Sequence, residues 1–406
     1  MNHNLSIHEV EQLYEKIKSK NFSLDLTRGK PSSEQLDLSR KLDQSLKDQH
    51  THEGIDTRNY GEVLGLGDMR QLGAEMLGCR KEMVIAGGNS SLTLMANYLS
   101  SLFFHGSGGG PWSTKVRNSF LCPVPGYDRH FKLSEEFSIN MIPVSLTGRG
   151  PDIKLMKSIA LDDPSLKGIW CVPKHSNPTG ETYDLDSIEA ILDLAESNKE
   201  FRIFWDNAYA VHDFKKSLDL PNIFDLAQKR GLEDCVIAFA STSKITYAGS
   251  GVGFIAMSNA NQQRFLKHYS SMVIGPDKIN QLRHINFFKD VVGLNDFMEQ
   301  HAEIVRPKFQ TVENWLSKQN FGSWTKPTGG YFVTYKSKSG LAKEIIRLAD
   351  LAGLKLTPAG ATFPYGVDPK DEIIRIAPTA CSTEELEKAM EIFNICVALA
   401  TLKEGS

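Results

Sequence analysis

The middle of the chain alternates short apolar runs with amphipathic stretches. Between several runs the apolar residues have helical spacing, as in 92–103 and 185–195. Strands covered on both faces are apolar throughout, and parallel strands need crossovers that are usually helical. The pattern predicts an α/β domain with a seven-stranded, mostly parallel sheet sandwiched by helices. The seven predicted strands cover residues 83–86, 120–122, 140–144, 168–172, 203–205, 236–240 and 252–257.

The two ends of the chain predict a smaller α+β domain. Ser6 and Glu9 have the spacing of a capping box before an amphipathic helix, and Ser382 and Glu385 repeat that spacing before a last helix. A long helix over 297–317 is expected to be interrupted or kinked near Pro307. The tail also predicts strands at 331–335, 354–356 and 373–376 and a helix at 341–351. We expect a large domain of residues 46–295 and a small domain of residues 1–45 and 296–406.

Composition excludes several classes of protein. The formal charge of −3 gives no basic surface for nucleic acid, and no apolar run approaches the roughly 20 residues that span a bilayer. The start, Met1–Ser6, lacks the pattern of a signal peptide. Six scattered cysteines without a C-x-x-C pair indicate reduced thiols and no zinc site. We therefore expect a cytoplasmic protein with no metal, nucleic-acid or membrane partner.

Lys244 follows the predicted strand 236–240, in the sequence Ser-Thr-Ser-Lys. In such sheets ligands bind at the carboxyl ends of the strands. A lysine that is partly desolvated there loses its proton more readily, which suits a Schiff-base nucleophile. The alternative is an ordinary surface lysine in a loop.

Asp206 closes the predicted strand 203–205. A buried carboxylate needs a partner. A helix N-terminus or a histidine would satisfy it structurally, whereas the protonated ring nitrogen of a cofactor would make it functional. His130 is a candidate neighbour of this carboxylate.

Other strand ends carry weaker signals. Gly88, Asn89 and Ser90 open a helix and would form a phosphate cradle, or else a plain turn with Asn89 as the N-cap. Tyr127 would lie against an aromatic ring, or else pack in a turn. Asn177, in Asn-Pro-Thr-Gly, places an amide at a strand end, or signals only a turn.

Together these residues supply what pyridoxal phosphate requires: groups for its phosphate, ring face, 3′-oxygen, ring nitrogen and aldehyde. The chain contains no G-x-S-x-G, H-E-x-x-H or G-x-x-x-x-G-K-[ST] motif that would indicate another chemistry. The glycine-dense segment 249–253 has the wrong spacing for a dinucleotide loop.

The motifs N-P-x-G at 177–180, D-x-x-Y at 206–209 and S-x-S-K at 241–244 resemble those of fold-type I, pyridoxal-phosphate-dependent aminotransferases of class I/II, and the resemblance covers nearly the whole chain. It implies that Lys244 binds the cofactor covalently and moves the proton at the substrate Cα. It further implies a homodimer whose cofactor sites include Tyr60 of the other subunit. The implied cofactor-binding residues are Gly88, Asn89, Ser90 and Ser241 at the phosphate, Tyr127 on the ring face, Asn177 and Tyr209 at the 3′-oxygen, Asp206 at the ring nitrogen, Ser243 and Lys244.

The same resemblance implies that Arg375 binds the substrate α-carboxylate, with Gly29 and Asn177 beside it. A structural ion pair is the alternative for Arg375. We expect transamination of aspartate or glutamate with 2-oxoglutarate by a ping-pong mechanism, with Arg28 or Lys30 as the second cation. Alternatives are alanine, aromatic or aminoadipate-like donors, a β-eliminating lyase, a non-enzymatic ligand-binding or regulatory protein, and a doubly wound hydrolase or nucleotide-binding protein.

One segment departs from the family pattern. The family usually has a phosphate-binding arginine about eight residues after the lysine, and 246–252 contains none. This variant resembles a divergent branch that includes bacterial aspartate aminotransferases and the aminotransferase parts of MocR-type regulators, here without a DNA-binding segment. Our hypothesis is that Lys278 or Arg283 supplies the missing charge from across the dimer.

Overall fold

The computed structural model describes residues 6–46 and 49–404. Residues 1–5, on which most of the signal-peptide expectation depends, lie outside the described ranges. The helices are α1 Ile7–Lys18, α2 Ser33–Leu38, α3 Gly67–Leu77, α4 Ser91–His105, α5 Asp128–Glu136, α6 Ile153–Asp162, α7 Leu185–Ser197, α8 Ile223–Lys229, α9 Asn259–Tyr269, α10 Lys278–Phe288, α11 Val291–Leu316, α12 Ala342–Leu351 and α13 Thr383–Glu404. The strands are β1 Leu24–Asp25, β2 Thr51–His52, β3 Ile55–Asp56, β4 Val84–Ala86, β5 Ser119–Val124, β6 Asn140–Ser145, β7 Leu166–Cys171, β8 Arg202–Asp206, β9 Val236–Ser241, β10 Gly253–Met257, β11 Ser323–Trp324, β12 Val333–Lys336, β13 Leu354–Lys355 and β14 Ile373–Ile376.

The large sheet has seven strands in the order β4-β10-β9-β8-β7-β5-β6. β10 is antiparallel to both of its neighbours, and the other pairs are parallel. Each of the seven predicted apolar runs forms one of these strands. The prediction of a seven-stranded, mostly parallel sheet is confirmed.

Helices cover both faces of this sheet because successive side chains of a strand point to opposite faces. In β9, Val236, Ala238 and Ala240 pack in one hydrophobic cluster with side chains of α3, α7 and α8. Ile237 and Phe239 pack in a second cluster with α4, α5 and α9. Both faces of the sheet are therefore covered by apolar side chains, and the polar residues lie at the ends of its strands.

A second, smaller set of elements lies at the two ends of the chain. β11, β12 and β14 form an antiparallel sheet, and β1 pairs with β13 in parallel. Their side chains share a hydrophobic cluster with α1, α11, α12 and α13. The predicted α+β character of this region is confirmed. The domain boundaries themselves stay a prediction, and the one at 295/296 falls inside α11.

The helix starts follow the predicted caps. The Ser6 and Glu9 side chains bond each other's backbone at the start of α1, and Ser382 and Glu385 do the same at the start of α13. The alternative of an interruption at Pro307 is wrong, because α11 is one helix of 26 residues that contains this proline, while the alternative of a kink stays a prediction. Pro307 is exposed, so water can satisfy the carbonyl that loses its intrahelical partner.

Candidate active site

Two adjoining cavities lie at the carboxyl ends of the central strands. The inner cavity, of about 260 Å³, is lined by residues that include Asn89, Ser90, Asp206, Ser241 and Ser243. The outer cavity, of about 610 Å³, adjoins β14 of the smaller sheet. It is lined by Thr27, Arg28, Asp128, Arg129, Phe332, Thr357, Pro358, Ala361 and Arg375, together with the residues common to both cavities, which are Gly29, Tyr127, Asn177, Tyr209 and Lys244.

Lys244 lies three residues beyond the end of β9, in a tight turn. The Thr242 carbonyl accepts hydrogen bonds from the N–H groups of Ile245 and Thr246, and the Tyr331 hydroxyl donates to the Lys244 carbonyl at 3.0 Å. The Lys244 amine lies 4.9 Å from the centre of the Tyr209 ring. Desolvation lowers the pKa of Lys244, against a smaller opposing effect of Asp206. The amine is therefore a weaker base than an exposed lysine and more readily neutral.

Asp206 is the last residue of β8 and is almost fully buried. Its Oδ2 accepts a hydrogen bond from His130 Nε2 at 3.0 Å, while Oδ1 is buried with no hydrogen-bond partner in the described part of the chain. His130 is stacked on Trp170 at 4.3 Å and meets the edge of Tyr127 at 4.9 Å. A buried carboxylate oxygen that lacks a partner, on a residue that lines the cavity, fits the protonated nitrogen of a pyridinium ring.

The start of α4 provides the candidate phosphate cradle. Ser90 is the N-cap residue, and its side chain makes no capping hydrogen bond, so first-turn N–H groups remain available for an anion. Our alternative of Asn89 as the N-cap is wrong, since α4 begins at Ser91 and Ser90 is its N-cap residue. Asn89 Nδ2 instead donates to the Gly249 carbonyl at 3.3 Å. Ser243 Oγ donates to the Asn89 carbonyl at 2.7 Å and links the cradle to the Lys244 turn. Gly88 borders the cradle but lines neither cavity.

Arg375, on β14, points its guanidinium into the outer cavity while remaining mostly buried. Nη1 contacts Asp128 Oδ1 at 3.1 Å and Asn177 Oδ1 at 3.4 Å, and the guanidinium carbon lies 4.9 Å from the centre of the Phe332 ring. The predicted alternative of an ion pair is thus present, in the same cavity as the functional candidates. Gly29 packs against Phe332 so closely that an added Cβ would be 2.4 Å from its Cζ.

Tyr209 lies between the two cavities with its side chain buried. Burial, followed by the nearby Tyr127, raises the pKa of Tyr209 well above its ordinary value. The hydroxyl therefore stays protonated and able to donate a hydrogen bond across the physiological pH range.

Some predicted residues lie apart from the cavities. Tyr60 is 83% exposed and lines neither cavity. Lys278 is buried and donates to the Gly61 carbonyl at 2.9 Å, while Arg283 forms an ion pair with Asp43 at 2.7 Å. The hypothesis that Lys278 or Arg283 serves a second subunit stays a prediction, and the Asp43 pair makes Arg283 the weaker candidate.

The two cations expected for a second carboxylate are separated. Arg28 lines the outer cavity with Arg375, whereas Lys30 lines the inner one. Sequence reasoning missed Asp128 and Arg129 in the outer cavity, although both directly follow the predicted Tyr127. It also missed Tyr331, whose run was read only as a strand.

Outside these cavities, His52, Glu53 and Asp68 bring their ligand atoms within 4.8 Å of one another, in a largely exposed position. None of the three residues lines either cavity. In the described ranges no helix has the length and apolar content needed to cross a bilayer.

Comparison with known proteins identifies relatives over the full length. The model of the family described as "Aspartate amino-transferase" matches residues 3–405. A Mycolicibacterium smegmatis protein named "Putative aminotransferase" is 44% identical over 98% of this chain and 95% of its own length. The aspartate aminotransferase of Corynebacterium glutamicum is 40% identical over 97% of this chain and 93% of its own length. A crystal structure of a C. glutamicum aspartate transaminase matches with a TM-score of 0.94 and 38% identity, covering 98% of this chain and 96% of that one.

Proposed function

The chain belongs to the aspartate amino-transferase family and is a pyridoxal-phosphate-dependent transaminase, and we propose that it transfers the amino group of aspartate or glutamate to a 2-oxo acid such as 2-oxoglutarate by a ping-pong mechanism. The observation that carries the chemistry is that one cavity is lined both by Lys244, whose pKa is lowered, and by Asp206, a buried carboxylate with one oxygen that lacks a hydrogen-bond partner among the described residues. The substrate class is supported by the C. glutamicum relative and by the arginines of the outer cavity.

The inner cavity fits pyridoxal phosphate. Its phosphate would lie at the start of α4 against Asn89, Ser90, Ser241 and Ser243, and its ring nitrogen would face Asp206 Oδ1. Bound there, the group supplies an electron sink for the charge left at the substrate Cα when its proton is removed.

The chain's own residues then perform the remaining tasks. Lys244 would hold the cofactor and would take and return the Cα proton as general base and acid. Asp206 would keep the ring nitrogen protonated, and Tyr209 and Asn177 would orient the ring through its 3′-oxygen. Tyr127 would cover the ring face.

Substrate carboxylates would bind in the outer cavity. Arg375 takes the α-carboxylate, because a planar fork of N–H donors matches two carboxylate oxygens. Arg28 and Arg129 line the same cavity with exposed side chains, and we assign them to the second carboxylate of aspartate or glutamate. Arg129 replaces Lys30 in this assignment.

The chemistry is tested by reducing the cofactor-loaded protein with borohydride and mapping the modified peptide by mass spectrometry. We expect the phosphopyridoxyl group on Lys244. Lys244→Ala should fold and lose turnover by several orders of magnitude, while the exposed Lys267→Ala should match the wild type. Modification of another side chain, or substantial turnover of Lys244→Ala, would contradict the assignment.

The substrate class is tested by donor preference. Arg28→Gln and Arg129→Gln should each raise KM for aspartate and glutamate about tenfold, as expected for a lost charged hydrogen bond. KM for alanine should not change. Equal effects on alanine would refute the assignment, and initial rates that do not give parallel double-reciprocal lines would refute the ping-pong order.

We further propose that the protein is a homodimer. We also propose that it belongs to the divergent branch of the family that lacks the phosphate-binding arginine. Tyr60, Met272 and Ile274 are exposed at 83%, 51% and 67%, and Gly275 packs against the Gly61 backbone, so the segment 272–275 and Tyr60 place three large apolar side chains at the surface. Tyr60 would reach the partner's cofactor phosphate. A protein that sediments as a monomer would contradict the homodimer. Unchanged cofactor affinity in Tyr60→Phe would contradict the role of Tyr60 at the partner's cofactor.

A further inference from the structure

Arg375 has almost no free hydrogen-bonding capacity in this structure. A guanidinium has five N–H donors. Nε donates to Thr357 Oγ1 at 3.2 Å, Nη2 to the Thr27 carbonyl at 3.3 Å, and Nη1 to both Asn177 and Asp128. One N–H, on Nη2, remains without a partner among the residues that the structure describes. A carboxylate held bidentately needs two donors, so one existing partner must leave before a substrate binds in this way.

Asp128 is the partner best able to leave. Thr27 contributes a backbone carbonyl, and Thr357 and Asn177 are 5% and 4% exposed. The Asp128 side chain is 32% exposed and lies in the first turn of α5, so it can rotate without moving buried groups. It is also the only anion of the four, and therefore chemically equivalent to the incoming carboxylate.

We propose that Asp128 is the counter-ion of Arg375 in the substrate-free enzyme, and that the α-carboxylate of the substrate displaces it. The inference rests on the proposed function in one respect, namely that Arg375 binds the α-carboxylate. Asp128 neutralises the charge of Arg375, a residue that is 7% exposed, and a charge buried to that degree would be costly to leave unpaired. Exchange of one carboxylate for another conserves the charge balance of the site. Arg28 and Arg129, which line the same cavity, offer Asp128 new partners.

Asp128 would thereby set the affinity of the site for carboxylates. Each ligand must break the Asp128–Arg375 ion pair, and the displaced carboxylate remains a like charge beside the bound anion. Removing the negative charge of Asp128 relieves both penalties. Removing this acidic residue from the cavity should therefore strengthen anion binding.

The test measures binding of unreactive acids to the cofactor-loaded enzyme by calorimetry. Succinate and propionate lack an amino group, so neither is a substrate. Asp128→Asn should bind both about tenfold more tightly, because the ion pair with Arg375 is replaced by a weaker hydrogen bond from the guanidinium to a neutral amide. Asp128→Ser tests the same change with a good residue for a helix start. Glu136→Gln is the matched control, since it removes the same charge from the exposed end of the same helix.

Steady-state kinetics provide a second readout. In Asp128→Asn, KM for the amino donor should fall while kcat stays the same, which a merely structural role of Asp128 would not produce. Unchanged or weaker binding of both acids would overturn the inference. A gain for succinate alone would also overturn it, because Asp128 would then act at the second carboxylate.

A third variant separates this inference from the function on which it rests. Arg375→Lys removes the planar fork and should weaken both acids strongly. If Arg375→Lys binds both acids like the wild type, the assigned role of Arg375 fails. If Arg375→Lys weakens binding while Asp128→Asn leaves it unchanged, the role of Arg375 stands and the role of Asp128 fails.

Discussion

His130→Phe is the most informative single change to the inner cavity. The substitution keeps an aromatic ring between Tyr127 and Trp170 and removes the hydrogen bond to Asp206 Oδ2. Asp206 is 3% exposed and its Oδ1 already lacks a protein partner. After the substitution, neither carboxylate oxygen has a hydrogen-bond donor from the described residues. The negative charge that faces the cofactor ring is then poorly supported.

The magnitude follows from that lost bond. A hydrogen bond to a charged group contributes about 1.5–3 kcal/mol. If the cofactor requires Asp206 to be ionised and fixed in direction, its affinity should fall by up to the same free energy. Since 1.4 kcal/mol is a factor of ten, we expect the dissociation constant of pyridoxal phosphate to rise about 10- to 100-fold.

The assay titrates cofactor into four cofactor-free proteins, which are the wild type, His130→Phe, Asp206→Asn and the double variant. Binding is measured by the change in intrinsic fluorescence. In the Asp206→Asn background there is no charge for His130 to support, so His130→Phe should have a clearly smaller effect. Circular dichroism checks that each variant is folded. An equal effect of His130→Phe in both backgrounds, or no effect in the wild type, would refute the reasoning.

Three further predictions concern the lysine, a glycine and the missing phosphate cation. Desolvation lowers the pKa of Lys244, and the neutral amine is the nucleophile. The rate at which the cofactor-free protein captures the cofactor, measured by stopped-flow absorbance, should therefore rise with pH through a midpoint below 10.5. A midpoint at or above that value would contradict this prediction. Gly29→Ala should displace the Phe332 ring beside Arg375 and raise donor KM about tenfold, whereas Gly249→Ala, whose added Cβ meets no atom within 4 Å, should not, and equal KM values would contradict this. Lys278→Ala should weaken cofactor binding more than Arg283→Ala, and unchanged cofactor affinity in both would eliminate the hypothesis of a cation from the second subunit.

The sheet was predictable because its strands are buried on both faces. Each run is short, apolar and separated from the next by turn residues or a helix, and no competing pattern occurs in that region. The direction of β10 was not predicted, although its signal is in the sequence. Only 11 residues, 242–252, separate β9 from β10, too few for the helical crossover that usually joins parallel strands. The continuity of α11 through Pro307 depends on the exposure of that face, which local sequence does not reveal.

The inner cavity was more predictable than the outer one for a similar reason. Asn177, Asp206 and Lys244 follow apolar runs, and the geometry of a parallel sheet brings such positions together. Arg375 and Asp128 are 247 residues apart and meet because the fold brings β14 and α5 together at the outer cavity. A long-range contact between a strand of the small sheet and a helix of the large one has no periodic signal. The separation of Arg28 from Lys30 depends likewise on which way adjacent side chains point.

The first turn of α5 connects the two halves of this site. Within four residues it supplies Tyr127 to both cavities, Asp128 to Arg375 and His130 to Asp206. Asp206 thus has a hydrogen-bond partner, and Arg375 an ion-pair partner, on the same turn. His130 is buried and stacks on Trp170, whereas the Asp128 side chain is 32% exposed and can rotate once its ion pair with Arg375 is broken. A displacement of α5 should therefore weaken cofactor and substrate binding together, whereas Asp128→Asn should alter carboxylate binding without changing cofactor affinity.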